Sequence, residues 1–409
     1  MPAADGSERR LVILEPDIEG HPREWLQHLM RFAASIDERY VVWLVVAPEV
    51  YRELNGALSA ARDGQVRLLA LRPLESRLCR HPRLVVSGFA RWWTMRRYLR
   101  LVGAEAGHFL SLDLVSLPLA LGLGAAGRRL CGILFRPSVH YPSLGSPRTR
   151  WSEWVRDMRK AVLYRLMLLN KTLRVVLTLD PYFPAHAARH YWNGGKVLAV
   201  PDPTHPPVNT TADETQVADR VPANRMMFLL FGYLTERKGI LALLEALRMI
   251  PSNIAAQAAI VLAGKIEPAI RPEVEEASRR LELEQPDLWL HLEDRRVSSG
   301  ELDALIRRCD VVLAPYQRFV GSSGVLLWAA RAGKPLLTQD FGLLGRLTRD
   351  YQLGLAVDCS DPRVLADGIR RMVQHGVSEF INRPSARDFI AVRTPQRFAA
   401  MVFESLLQE

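Results

Sequence analysis

Thirteen short apolar runs, each leading into a stretch with helical spacing, constrain this chain more than any single motif. Seven lie in the first half: Leu11–Glu15, Val41–Ala47, Val66–Ala70, His108–Leu112, Gly132–Phe135, Val175–Leu179 and Val197–Val200. Six follow: Met226–Phe231, Ala259–Ala263, Leu288–Leu292, Asp310–Ala314, Leu336–Thr338 and Leu355–Val357. Runs this rich in Val, Leu and Ile suit strands buried on both faces, and their alternation with helices predicts α/β architecture with doubly wound parallel sheets. A chain of 409 residues exceeds one ordinary core and suits two domains of about 200 residues. From Pro201 to Pro222 it turns polar and proline-rich, as an interdomain connection does. The expected organisation is an N-terminal domain over residues 1–204, a linker over 205–222, a second domain over 223–392 and a terminal helix over 393–409.

Two segments of the second half carry the chemistry. Asp310–Ala314 opens through Pro315 and Tyr316 into Gly321-Ser322-Ser323-Gly324, then a helix that stops near Gly333 and Pro335. Ser322 or Ser323 suits the cap, and the glycines let an anion approach free backbone N–H groups. Earlier, Met226–Phe231 runs into Gly232-Tyr233-Leu234-Thr235-Glu236-Arg237-Lys238-Gly239 and a helix. Arg237 and Lys238 at that helix start oppose its dipole, so an anion there gives them a purpose.

Together these segments resemble the C-terminal half of a GT-B glycosyltransferase, similar to glycosyltransferase family 4 (glycosyl transferases group 1), over roughly residues 225–380. The resemblance implies two Rossmann-like domains facing across a cleft, with the terminal helix crossing back to brace the first. It implies that the first domain binds the acceptor and the second the nucleotide sugar. It places Lys238, Arg237, Gly232, Gly321, Ser322, Ser323 and Gly324 on the donor diphosphate. Gly264, Lys265, Arg296 and Val297 are the candidates for the nucleotide base, and Trp328 occupies the ribose position. Gly20, His21 and Arg136 would lie at the donor–acceptor junction, with His140 beside the donor sugar and Asp113 at a strand end suited to an acceptor hydroxyl or a base. The bland alternatives are capped turns, solvated loops and ordinary strand-end polar groups.

One departure matters. The family's two glutamates, with seven residues between them, fall on Val320 and Trp328, and neither accepts a hydrogen bond from a diol. Asp340 is a candidate replacement carboxylate, or a helix cap. Two readings follow. One is a divergent transferase, retaining in the family's manner, that moves a sugar from a nucleotide-diphosphate sugar to an acceptor hydroxyl in bacterial polysaccharide or glycolipid assembly. The other is an inactive pseudo-enzyme serving as partner in a glycan-synthesis complex.

Charge bears on the partners. Residues 51–200 hold 24 Lys and Arg against 8 Asp and Glu, an excess of +16 that exceeds the whole chain's +10. These cations interleave with aromatics in Arg91-Trp92-Trp93-Thr94-Met95-Arg96-Arg97-Tyr98 and again from Arg150 to Lys160. Interfacial segments against anionic lipid have this composition, and so do ordinary surface helices with part-buried tryptophans. No nucleic-acid motif accompanies the patch, and no nucleic-acid partner is expected. Met1 to Arg10 lacks an apolar h-region, so a cytoplasmic protein is expected, peripheral on the inner face of the membrane. Cys79, Cys131, Cys309 and Cys359 are scattered, and there is no Asp-x-Asp motif or acidic cluster. No metal or other cofactor is therefore expected, with the nucleotide sugar as co-substrate and a glycan or lipid-linked acceptor.

Overall fold

The computed structural model describes residues 8–18, 22–58, 65–145, 151–204, 216–321 and 323–408. The chain divides into two compact units, one drawn from residues 1–140, 148–203 and 393–409, the other from 141–147 and 204–392.

The first unit contains seven parallel strands: β1 (Arg9–Glu15), β2 (Tyr40–Val46), β3 (Val66–Ala70), β4 (Ala106–Phe109), β5 (Arg129–Leu134), β6 (Leu173–Thr178) and β7 (Val197–Ala199). Their order is β3-β2-β1-β4-β5-β6-β7. The second contains six: β8 (Met226–Phe231), β9 (Ala258–Ala263), β10 (Trp289–Glu293), β11 (Val311–Ala314), β12 (Leu336–Gln339) and β13 (Gly354–Val357), in the order β10-β9-β8-β11-β12-β13. Each sheet is doubly wound, as the alternation predicts. Strand starts shift where polar residues join the ladder. Arg9 and Arg10 extend β1 because Arg9 pairs with Glu105 and Arg10 donates to the Val102 carbonyl. Arg129 likewise extends β5 beside Ala106.

Burial on both faces is nearly complete at the centre of each sheet. Ala258 to Ala263 is buried along its whole length, as are Leu11 to Glu15. Burying such runs supplies the dominant stabilisation at roughly 25 cal/mol per Å² of apolar surface. The helix Pro395–Leu407 belongs to the first unit. Thr394 caps it by accepting from the Arg397 amide, and Phe398, Val402, Phe403 and Leu406 enter the core beside Leu11, Ile13 and Trp25. Trp25 and Phe398 rings meet at 4.7 Å, and the Cys131 thiol donates to the Ser405 carbonyl at 2.8 Å. Among the described residues no helix is long and apolar enough to cross a membrane.

Candidate active site

In open parallel sheets, ligands bind beyond the carboxyl ends of the strands, where the strand order reverses. That point lies between β8 and β11 in the second unit and between β1 and β4 in the first.

In the second unit the chain leaves β8 through Gly232 at φ +103, makes a tight turn over Glu236–Lys238, and enters the helix Ile240–Arg248 through Gly239 at φ +77. The turn folds the Lys238 side chain back over the strand end. Its Nζ donates to the Phe231 carbonyl at 2.9 Å and to the Tyr316 hydroxyl at 3.0 Å. Tyr316 follows β11, and its hydroxyl lies 2.8 Å from Ser323 Oγ. Ser323 in turn accepts from the Val325 amide and so caps the helix Gly324–Arg331. One chain of hydrogen bonds thus joins the two segments expected to share a diphosphate. Ser322 lies outside the described residues. Gly321 is buried, next to that cap.

The electrostatics of this node are incomplete. Lys238 is only 9% exposed, yet among the described residues its ammonium contacts neutral oxygens and the Tyr316 ring, 5.0 Å away, and no carboxylate. A buried cation without a countercharge is costly, and an anion at the same strand ends would relieve it. Gly232 leaves room for one, since a Cβ there would stand 3.1 Å from Lys238 Nζ. Arg237 is exposed, with its guanidinium 4.8 Å from the centre of the Phe319 ring. Phe319 meets Tyr316 edge-on at 5.0 Å. A second cation is therefore held beside the first by aromatic stacking.

A pocket of about 330 Å³ opens next to this node, lined by Gly232, Tyr233, Ala263, Gly264, Lys265, Arg296, Val297 and Leu302. The structure thus brings Gly264, Lys265, Arg296 and Val297 together around Gly232, although they come from separate loops. Trp328 is not among the lining residues. It sits on the helix Gly324–Arg331 with the Arg331 guanidinium 4.6 Å from its ring. Asp340 is exposed at the end of β12, and Val320 lies under the start of the helix Gly342–Asp350, where its carbonyl accepts from the Leu343 amide.

In the first unit, Gly20 and His21 lie outside the described residues. His140 is buried and hydrogen-bonded through Nε2 to Asp180 at 2.7 Å. The carboxylate accepts, so Nε2 carries the proton and the ring is fixed. His186 lies 5.3 Å from His140, ring to ring; burial and two neighbouring imidazoles hold its pKa down at about 4. Asp113 is engaged with backbone. Its two carboxylate oxygens accept from the Phe135 and Arg136 amides, so it clamps the loop after β5. Burial raises its pKa. The Arg136 side chain is exposed at that loop.

Sequence reasoning passed over two groups. Tyr316 was visible only as part of a loop, since a hydroxyl's partners depend on where two strands meet. Glu15, at the end of β1, is fully buried, and burial together with the Asp17 charge pushes it up to about 8. Asp17 pairs with the nearly buried Arg91.

Residues 225–375 match the family described as Glycosyl transferases group 1. The match lies wholly within the second unit. It spans every element of the Lys238 node and the neighbouring pocket. The chain shares the GT-B fold of solved structures that include glycosyltransferases. Sucrose-phosphate synthase from Thermosynechococcus elongatus is 17% identical, with 97% of this chain and 98% of that one covered at a TM-score of 0.67. Anabaena HepE, solved in complex with UDP, is 14% identical, with 97% of each chain covered at 0.60. WaaG, a glycosyltransferase involved in lipopolysaccharide biosynthesis, is 14% identical, with 96% of this chain and 99% of that one covered at 0.58. Identities this low carry the fold alone. No curated protein matches the chain in sequence.

The hydrogen-bond chain places Tyr316 between Lys238 and Ser323. Tyr316→Phe keeps the ring and its packing but removes the link between Lys238 and Ser323. The expected outcome is a rise of about tenfold in the donor KM, the value of one hydrogen bond to a charged group, with kcat within about threefold and the thermal midpoint nearly unchanged. Steady-state kinetics on purified protein check it, and an unaltered KM would remove the role.

Proposed function

We propose that the protein transfers a glycosyl group from a nucleoside-diphosphate sugar to an acceptor hydroxyl, with retention of anomeric configuration. The observation that carries this reading is the buried Lys238 ammonium, which among the described residues has neutral partners and no carboxylate, at the β8/β11 switch point beside a pocket of about 330 Å³. A diphosphate at this point would complete the cation's electrostatics. The amides at the start of the helix Gly324–Arg331 would share the charge that develops as the glycosidic bond breaks.

In the proposed step the C1–O bond to the β-phosphate breaks and the acceptor oxygen bonds to C1 on the same face. The acceptor proton passes to an oxygen of the departing diphosphate. Lys238, Arg237 and the amides are proposed to hold the leaving group. His140, its ring fixed by Asp180, is proposed to contact the donor sugar. The acceptor is proposed to be a glycan or lipid-linked hydroxyl in bacterial polysaccharide or glycolipid assembly, at the inner face of the cytoplasmic membrane. HepE's complex with UDP and WaaG's part in lipopolysaccharide biosynthesis support this choice of donor and setting.

Thermal-shift measurements against UDP, GDP, ADP and dTDP sugars test the proposal. Ligand at 100 times its Kd stabilises the folded state by about 2.7 kcal/mol, so one nucleotide class should raise the midpoint by several degrees. The same sugar nucleotide should then release free nucleotide slowly. Tight binding without any release would favour the non-catalytic reading that Val320 and Trp328 suggest. No shift with any nucleotide would end the transferase reading.

A further inference from the structure

The helix Trp151–Leu169 is apolar on two opposite faces. Inward it gives Tyr164, Met167 and Leu168 to the core of the first unit. Outward it exposes Trp151, Trp154, Met158, Val162, Leu166 and Leu169, at spacings of three, four, four, four and three residues. Those intervals keep the six side chains on one stripe, which runs about 27 Å at 1.5 Å per residue. The exposures are not marginal: Trp151 is 79% exposed, Val162 51% and Leu169 46%. A helix covering a soluble core normally turns charge to the solvent opposite its buried stripe. Here the exposed Arg159 and Arg156 lie to one side of the stripe, and Arg165 alone among the exposed arginines falls within it.

A second helix on the same side of the sheet repeats the pattern. Leu84–Leu101 packs Met95, Tyr98 and Leu99 into the same core cluster that receives Tyr164 and Met167. Its outer surface exposes Trp93 and Leu101 among Arg96, Arg97 and Arg100, around a hollow of about 440 Å³. This helix contains no acidic residue.

We infer that the exposed stripe of the helix Trp151–Leu169, with the arginine and tryptophan surface of Leu84–Leu101, is the face by which the protein lies on an anionic lipid surface. The inference rests on the membrane location proposed above and assigns it to particular side chains. Apolar groups along the stripe enter the acyl boundary while the tryptophans sit at headgroup depth, and the flanking guanidinium groups meet lipid phosphates. A second copy of this chain is a poorer occupant, because stacking two such faces would oppose arginine to arginine. Anionic lipid supplies the opposite sign.

Sedimentation of the full chain with vesicles tests this. One set is phosphatidylcholine alone and the other contains phosphatidylglycerol at about a third of the lipid, each at low and high salt. The wild type should sediment with the anionic vesicles, at least about tenfold more than with the neutral ones at low salt, and lose most of that preference at high salt. Val162→Asp with Leu166→Asp should lower partitioning by at least about tenfold, the value of burying one or two such side chains, while thermal midpoint and nucleotide binding stay as in the wild type. Trp151→Ser with Trp154→Ser is the second variant, in case the aspartates disturb folding, and it should lower partitioning in the same direction. If the wild type binds anionic vesicles and both variants bind equally well, the stripe is not the docking face, although the membrane location stands. If the wild type binds neither vesicle, the membrane location itself falls. A wild-type dimer in solution that the substitutions turn into monomer would assign the stripe to a second copy and overturn the inference.

Discussion

Lys238→Ala is expected to lower kcat/KM for transfer by about 10²- to 10³-fold, the loss seen when one preorganised donor to a developing anion is removed. Two effects combine in that figure. The substitution removes the only buried cation at the β8/β11 crevice among the described residues, and it leaves the Phe231 carbonyl and the Tyr316 hydroxyl each without the partner they had at 2.9 and 3.0 Å. A group left unpaired in the interior costs about 1–3 kcal/mol, so stability will fall as well. Lys238→Met separates the two terms, because its chain fills the same channel without charge. Its thermal midpoint should exceed that of Lys238→Ala while its kcat/KM stays equally low. Retention of more than a third of wild-type kcat/KM in both variants would mean that the ammonium does not hold the leaving group. Kinetics with the donor identified by thermal shift, together with nucleotide affinity by calorimetry, decide the matter.

Gly239→Ala is expected to be among the most destabilising single-methyl additions in the chain. A Cβ at this position would stand 1.9 Å from the Pro315 carbonyl oxygen, and the backbone sits at φ +77, where an L side chain is strained. The left-handed conformation costs about 1–2 kcal/mol, and separating the turn from the end of β11 adds to that, for a total of roughly 3–4 kcal/mol. A unit of this size should lose about 10 °C in thermal midpoint. Gly333→Ala is the internal comparison: its φ of +62 carries a similar strain, but nothing lies within 4 Å of the point its methyl would occupy. It should cost about 1–2 kcal/mol. The difference between the two variants therefore measures the close approach of the Lys238 turn to Pro315. Equal losses would show that the approach carries no energy. Donor affinity should fall in Gly239→Ala as well, because Pro315 leads directly to Tyr316.

How much was legible beforehand varied with the kind of contact involved. The parallel sheets could be read from short Val, Leu and Ile runs, because burial on both faces leaves a strand no freedom of composition. Gly264, Lys265, Arg296 and Val297 are singled out by the family resemblance, which puts the base past strand ends. The contacts of Asp113 could not be read from its place at a strand end. A strand-end carboxylate looks the same in sequence whether it faces a ligand or, as here, accepts from the Phe135 and Arg136 amides.

The alternation of elements, the glycines that permit the tight turns and the surplus of arginine in the first half belong to the sequence, because period, backbone freedom and charge are local properties. Which groups meet is another matter. The join from Lys238 through Tyr316 to Ser323, the pairing of His140 with Asp180 and the outward turn of six apolar side chains on one helix were decided only when strands far apart in the chain became neighbours. Hydrogen bonds and exposure depend on distances across the sheet, and no spacing along the chain encodes those.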